Sequence, residues 1–181
     1  MQKLAPLLCL GLAGSVLSAE PGPPQVVLHG SVMTESGEHP ALFTLICTQG
    51  SGGALSLQLG VIRDTAPHFP FDAYEGPGAP ASSKPSAQLQ VGQQFFKPVA
   101  VAGWYSGDNP DMFVFGASTP TGRRNTITNF AAALGNADAT LTWTQNGNNA
   151  QTPPLVGQFT LNAVQRRELQ RIAAPCLPRR R

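Results

Sequence analysis

Cysteine is almost missing: three occur in 181 residues, and Cys9 lies in the apolar N-terminal stretch, leaving only Cys47 and Cys176 to pair. Histidine is as scarce, and His29, His39 and His68 stand too far apart to share one helix face, so no helical metal-binding pair is encoded. No cofactor is predicted. No internal repeat is visible. The basic residues lack interleaved aromatics, which with export argues against a nucleic-acid partner. After the first residues there is no further apolar run approaching the roughly 20 residues of a membrane-spanning helix.

What is present starts with an export signal. Lys3 precedes an apolar run over residues 4–17 and the small residues Ser18 and Ala19, so residues 1–19 read as a signal peptide that is cleaved rather than kept as an anchor. Cys9 has too little sequence before it to complete a lipoprotein signal. About 160 residues then remain, enough for one domain with a real core and too few for two. The expected layout is one β-rich domain over 20–178 with a basic tail at 179–181, in a periplasmic or secreted location. An oxidising compartment favours a Cys47–Cys176 bond. Closing so long a loop removes unfolded-state entropy equivalent to roughly 5 kcal/mol.

Net charge is only +2, but it is unevenly spread: six arginines and one glutamate follow from residue 166 onward, against five Lys or Arg and nine acids in 20–165. The basic end is either a solvated terminus or a dock for anionic lipid, a peptidoglycan-associated polymer or an acidic protein.

Alternation dominates the middle of the chain. Residues 25–33 put Val26, Leu28 and Val32 on one side, residues 41–48 are apolar on both faces as in a central strand, and 54–62 alternate Leu55, Leu57, Leu59 and Val61 with smaller or polar residues. A turn is expected over 34–40, a long Pro/Ala/Ser-rich surface loop over about 65–88, and a strand over 95–105 with Pro98 marking an edge or bulge. The "SGDNPD" turn leads to a strand at 112–117. A short helix follows within 121–134, capped by Asn125 or Thr126 and stopped by Gly135-Asn136. Strands at 139–145 and 155–161 form a hairpin around "NGNNAQTPP". Asn162 and Gln165 then make a capping box for a last helix, whose Val164, Leu169, Ile172 and Ala173 face the sheet. The fold class is α+β, mainly β: a single-domain antiparallel sheet or sandwich with a short middle helix and a C-terminal helix stapled by Cys47–Cys176.

Chemical motifs are weak. "QGSGGA" resembles the surroundings of a serine-protease nucleophile, yet too little chain precedes Ser51 to build a base and an orienting acid, and three glycines between alternating strands are what a tight reversal requires. "GWYSG" misses the G-x-S-x-G spacing. His68 with Asp64, Asp72 and Glu75 has ligand types without ligand spacing, and Asp108, Asn109 and Asp111 lack the glycine and distal glutamate of a calcium loop. Catalytic and metal residues are therefore assigned to none. The candidates for binding a partner are the adjacent aromatics Trp104 and Tyr105 beside a polar turn with Asp108 and Asp111, together with His68 in the long loop. An exposed sheet edge is a further way to recruit a partner strand.

The ordered segments "LFTLIC", "ALSLQLG", Trp104-Tyr105-Ser106, "FAAALGNADATLTWT" and "GQFTLNAVQRRELQRIAAPC" resemble the VasI-like accessory proteins of type VI secretion, over most of the mature chain but in short matches. The closing segment is also similar to exported proteins of the invasion-associated locus B type. The resemblance implies a non-enzymatic envelope component with a protein partner. The other readings are a periplasmic immunity or inhibitor protein that inserts a loop into a cell-wall-active enzyme or toxin, and an enzyme whose site is assembled from scattered acids.

Overall fold

The computed structural model describes residues 22–135 and 140–179. The signal peptide with Cys9, the helix stop at Asn136, the strand start at Ala139, and Arg180 and Arg181 lie outside these residues.

The alternating segments pair as a central ribbon of β1 (Gln25–Thr34), β2 (Gly37–Cys47) and β3 (Ala54–Ile62). Next come β4 (Pro85–Val91), β5 (Gln94–Phe95), β6 (Val99–Ala100), β7 (Ala102–Tyr105), β8 (Met112–Pro120), β9 (Thr140–Gln145) and β10 (Leu155–Thr160). All belong to one antiparallel sheet in the order β5-β4-β9-β10-β1-β2-β3-β8-β7, with β6 also beside β4. The expected hairpin between β9 and β10 forms, with Gln145 opposite Leu155.

Several expectations need correction. The turn over 34–40 shrinks to Glu35-Ser36, because Thr34 pairs with Gly37 and the ribbon continues through Pro40. Proline is tolerated there because β3 joins β2 only from Ala41, so Pro40 has a neighbour on one side alone. The strand over 95–105 breaks at Pro98 into β5, β6 and β7. The end of the expected long loop is β4, whose Ala87, Leu89 and Val91 are buried. The rest of that loop is exposed along much of its length but is anchored in the core: Phe69, Phe71, Tyr74 and Ala81 are buried, and the chain holds itself in two 3-10 turns, Arg63–Thr65 and Phe71–Tyr74.

The sheet curls around its apolar face. Strands three places apart in a flat sheet lie roughly 14 Å apart. Yet Trp143 of β9 and Phe43 of β2 bring their ring centroids to 6.4 Å, with Phe159 of β10 at 5.8 Å from Phe43. The chain from β3 to β4 crosses this trough. Tyr74 packs edge-on against Phe115 of β8 and donates to the Asn146 carbonyl just beyond β9 at 2.7 Å.

Helix α1 (Thr126–Ala133) fills the inner face through Ile127 and Phe130, whose ring meets Phe43. It opens on Asn125, whose side chain accepts from Thr128 N while Thr128 Oγ1 accepts from Asn125 N. Helix α2 (Ala163–Ala173) has the expected box between Asn162 and Gln165. Each such cap stabilises by about 1 kcal/mol. Leu169, Ile172 and Ala173 of α2 are buried as expected, but Val164 is 66% exposed. At about 100° per residue Val164 lies about 140° around the helix from Leu169 and about 180° from Ala173, though only about 80° from Ile172.

Just past α2, Cys176 bonds to Cys47, with Cα atoms 5.9 Å apart and a sequence separation of 129. This defines two ends of the sheet. At the disulfide end lie Gln25, Cys47, Ala54 and Pro120; at the other, the tip end, lie Thr34, Gly37, Ile62 and Met112. The "QGSGGA" segment is the reversal between β2 and β3 at the disulfide end. Gly50 and Gly52 hold φ of 88° and 77°, values that favour glycine, and Gly53 N donates to Gly50 O at 3.1 Å. Ser51 has no histidine near it: His39 sits at the other end of β2, and His29 faces Leu42 across the ribbon.

Candidate functional site

The tip end gathers most of the predicted partner-binding residues, from three pieces of chain. Strand β7 brings Trp104 and Tyr105, the β7–β8 connection brings Asp108 and Asp111, and the connection after β3 brings Arg63, Asp64 and Asp72. Backbone bonds lock these together: Arg63 N donates to Asp111 O at 2.9 Å and Ser106 N to Met112 O at 2.9 Å. Asn109 supplies the turn's internal support, accepting from Asp111 N through Oδ1 at 3.1 Å. Asp108 and Asp111 are left exposed to solvent.

Because successive strand residues face opposite ways, the two aromatics serve different surfaces. Tyr105 turns inward, its ring edge-on to Phe113 with centroids 5.1 Å apart, and donates its hydroxyl to Asp72 Oδ1 at 3.0 Å. The Arg63 guanidinium stands 6.0 Å from the Tyr105 ring centroid and is held by Asp64 Oδ1. Burial, followed by the Asp72 carboxylate, raises the Tyr105 hydroxyl above its ordinary value, and Tyr105, followed by Asp64, raises that of Arg63. These side chains rim an open cleft of about 470 Å³ floored by Phe69 and Phe71.

Trp104 turns outward. It is 40% exposed and lies flat on β8, with Val114 opposite it in register. Gly116 makes this possible: a Cβ there would stand 2.6 Å from the indole ring. Both helices pack on the inner face, so among the described residues no helix covers the sheet's outer face around Trp104. That face carries the half-buried Leu42 and Met112, the latter resting on Gly60.

His68 does not join this group. Its ring Nδ1 lies 3.0 Å from Glu35 Oε2 and its backbone N donates to Glu35 Oε1 at 2.9 Å, which ties the long connection to the β1–β2 turn. The backbone bond, then the ring, lowers the Glu35 carboxyl below its ordinary range. The acids once grouped with His68 are dispersed: Asp64 goes to Arg63, Asp72 to Tyr105. Among the described residues no three His, Cys, Asp or Glu side chains gather where a metal ion would bind.

Sequence reasoning missed Arg63, which has no motif around it, and the buried polar chain on the inner face. There Trp143 Nε1 donates to Gln145 Oε1 at 3.3 Å and Gln145 Nε2 to Ser86 Oγ at 3.0 Å. Sheet edges are also less available than expected. Gly76 N donates to Gly103 O at 2.8 Å along the outer side of β7, and β5 and β6 cover the outer side of β4.

The chain matches no family model, no curated protein and no solved structure. Among the described residues no helix is long and apolar enough to cross a membrane.

Proposed function

We propose that this chain is an exported, non-enzymatic component of the bacterial cell envelope that binds another protein through the tip end, as an accessory part of a type VI secretion system. The observation that carries the binding reading is Trp104, a large amphipathic side chain held flat and exposed on a sheet face that no helix covers among the described residues, beside a turn that presents Asp108 and Asp111. Exposed indoles at the centre of such patches dominate binding energies, while charges at the rim select the partner and set its arrival rate. The fitting partner offers an apolar recess for the indole and a basic rim. The export and secretion-system parts of the reading rest on the N-terminal signal pattern, the VasI-like segments and the fully buried disulfide, a bond that persists in oxidising compartments.

A second reading, an immunity or inhibitor protein, draws on the same tip. The exposed "SGDNPD" turn is the segment able to enter an enzyme's cleft, since the chain over 65–84 is anchored in the core by Phe69, Phe71 and Tyr74.

Affinity purification of the tagged, full-length chain from its native envelope tests both. Secretion-machine subunits recovered with the wild type and lost with Trp104→Ala, at least tenfold, are the expected result. Recovery of a lytic toxin instead favours the inhibitor reading. Undiminished recovery of partners by Trp104→Ala and by Asp108→Lys/Asp111→Lys would remove the tip from the binding surface.

A further inference from the structure

Folding converts the uneven charge along the chain into two oppositely charged ends. Glu35, Glu38, Asp64, Asp72, Asp108 and Asp111 all lie at or beside the tip end, in the β1–β2 turn, after β3 and between β7 and β8. The described arginines other than Arg63 take the disulfide end. Arg123 and Arg124 follow β8 directly, and Arg124 Nη2 lies 3.4 Å from the Arg179 carbonyl. Gly122 N donates to Cys176 O at 2.9 Å, so the start of the tail is fastened beside the β8–α1 connection rather than trailing away. Helix α2 reaches the same end and presents Arg167 and Arg171 to solvent. Residues 121–135 and 161–179 together carry six arginines and a single acid, Glu168, which is bound to Arg171. Among the described residues, Arg123, Arg124 and Arg167 have no carboxylate within ion-pair distance.

The form of this surface narrows its ligand. The larger clefts open around Arg63 and Tyr105 or around Tyr74 and Asn146, and none is lined by these arginines. A single bound phosphate or small anion needs donors that converge on a cavity, and a single-stranded nucleic acid needs aromatic faces for its bases. Among the described residues no such cavity lies between these arginines, and the exposed aromatic at this end, Phe95, stands on β5 at the opposite edge of the sheet from β8. What is present is a spread of cations with one exposed apolar side chain in the same stripe, Val164, which precedes Arg167 by one helical turn and Arg171 by two. Spread positive charge with an apolar side chain able to enter the headgroup boundary suits an extended, fluid array of phosphates.

We propose that the disulfide end is an electrostatic docking surface for an anionic lipid bilayer. The molecule sits on the membrane with α2 and the β8–α1 connection facing the headgroups. The acidic tip is repelled and points away, which leaves Trp104 accessible. The bond between Cys47 and Cys176 holds α2 and the tail at one end of the sheet, so the arginines act as one patch.

Co-sedimentation of the purified full chain with vesicles tests this. The chain is expected to pellet with phosphatidylglycerol-containing vesicles and not with pure phosphatidylcholine, and to be released as salt rises and the screening length falls below about 5 Å. Each cation near such a surface contributes on the order of a fivefold factor in binding. Arg123→Glu/Arg124→Glu should therefore weaken binding at least about 25-fold, and Arg167→Glu at least about fivefold, with melting temperatures unchanged. Trp104→Ala should bind vesicles as the wild type does, which separates this surface from the tip. Equal pelleting with neutral vesicles, or full binding by Arg123→Glu/Arg124→Glu, would overturn the proposal. So would binding to soluble polyphosphate or to an acidic protein without binding to anionic vesicles.

Discussion

The two ends of this sheet are built from the same strands but held by different means. At the disulfide end the β2–β3 reversal, the exit of β8 and the close of α2 are joined by a covalent bond and by backbone bonds such as Thr121 N to Gly53 O and Gly122 N to Cys176 O. At the tip end an irregular stretch over 63–84, with no regular strand, is held by aromatic rings and a few exposed polar ties. The covalent end keeps its arginines in a fixed array. The tip end exposes Asp108 and Asp111 on a connection, where side chains face solvent because the strands beneath already carry the packing.

Breaking the covalent end should have the largest effect. The Cys47–Cys176 bond closes a loop of 129 residues, so its removal restores unfolded-state entropy worth about 5 kcal/mol. In a domain of this size that corresponds to a fall in Tm of roughly 10–20 °C. Thermal unfolding with and without reductant, or of Cys47→Ala/Cys176→Ala, measures it. An unchanged Tm would mean that the helix, not the bond, fastens this end.

The tip end should fail locally before it fails globally. Phe115 touches Phe69, Phe71 and Tyr74, so Phe115→Ala removes the common partner of the whole irregular stretch and costs about 3–5 kcal/mol. Hydrogen exchange should show amides such as Ala66, Gly76 and Ala81, whose bonds lie within this stretch or tie it to β7, losing protection at milder conditions than those of β1 to β3. Simultaneous loss across the sheet would show that the two ends are one cooperative unit.

This contrast also explains what the sequence made legible. Period-two apolar patterns are local and strong in β1, β2 and β3, and the asparagine caps of both helices need only the residues three positions on, so these elements were readable directly. Strand β4 was not: its alternation is short, begins with the small Ala87, and follows a run of prolines and serines that suggests a loop. The burial of Phe69, Phe71 and Tyr74 follows no period, because an irregular chain places side chains by individual turns rather than by a repeat. Val164 was misassigned by counting apolar residues without the helical angle between them. Of the candidate site, Trp104, Tyr105, Asp108 and Asp111 were found by their adjacency to a turn. Arg63 and the true partner of His68 were hidden, since each depends on segments brought together across about 30 to 40 positions of sequence.

The smallest effect should come from the tie between Glu35 and His68, and its pH dependence gives its sign. Glu35 has its carboxyl value lowered in the folded state, foremost by the His68 backbone N–H. The folded protein therefore holds that proton less readily than the unfolded chain does, and the tie stabilises fully above the ordinary value of 4.5 and is lost as pH falls through the lower folded value. Glu35→Gln should lower Tm slightly at neutral pH, and the gap between variant and wild type should close on acidification below 4.5. Because the pair is open to solvent, added salt should also narrow the gap. A gap that persisted in acid would place the contribution of Glu35 in the β1–β2 turn itself. The irregular stretch would then be fastened at the tip by its aromatic rings, without help from charge.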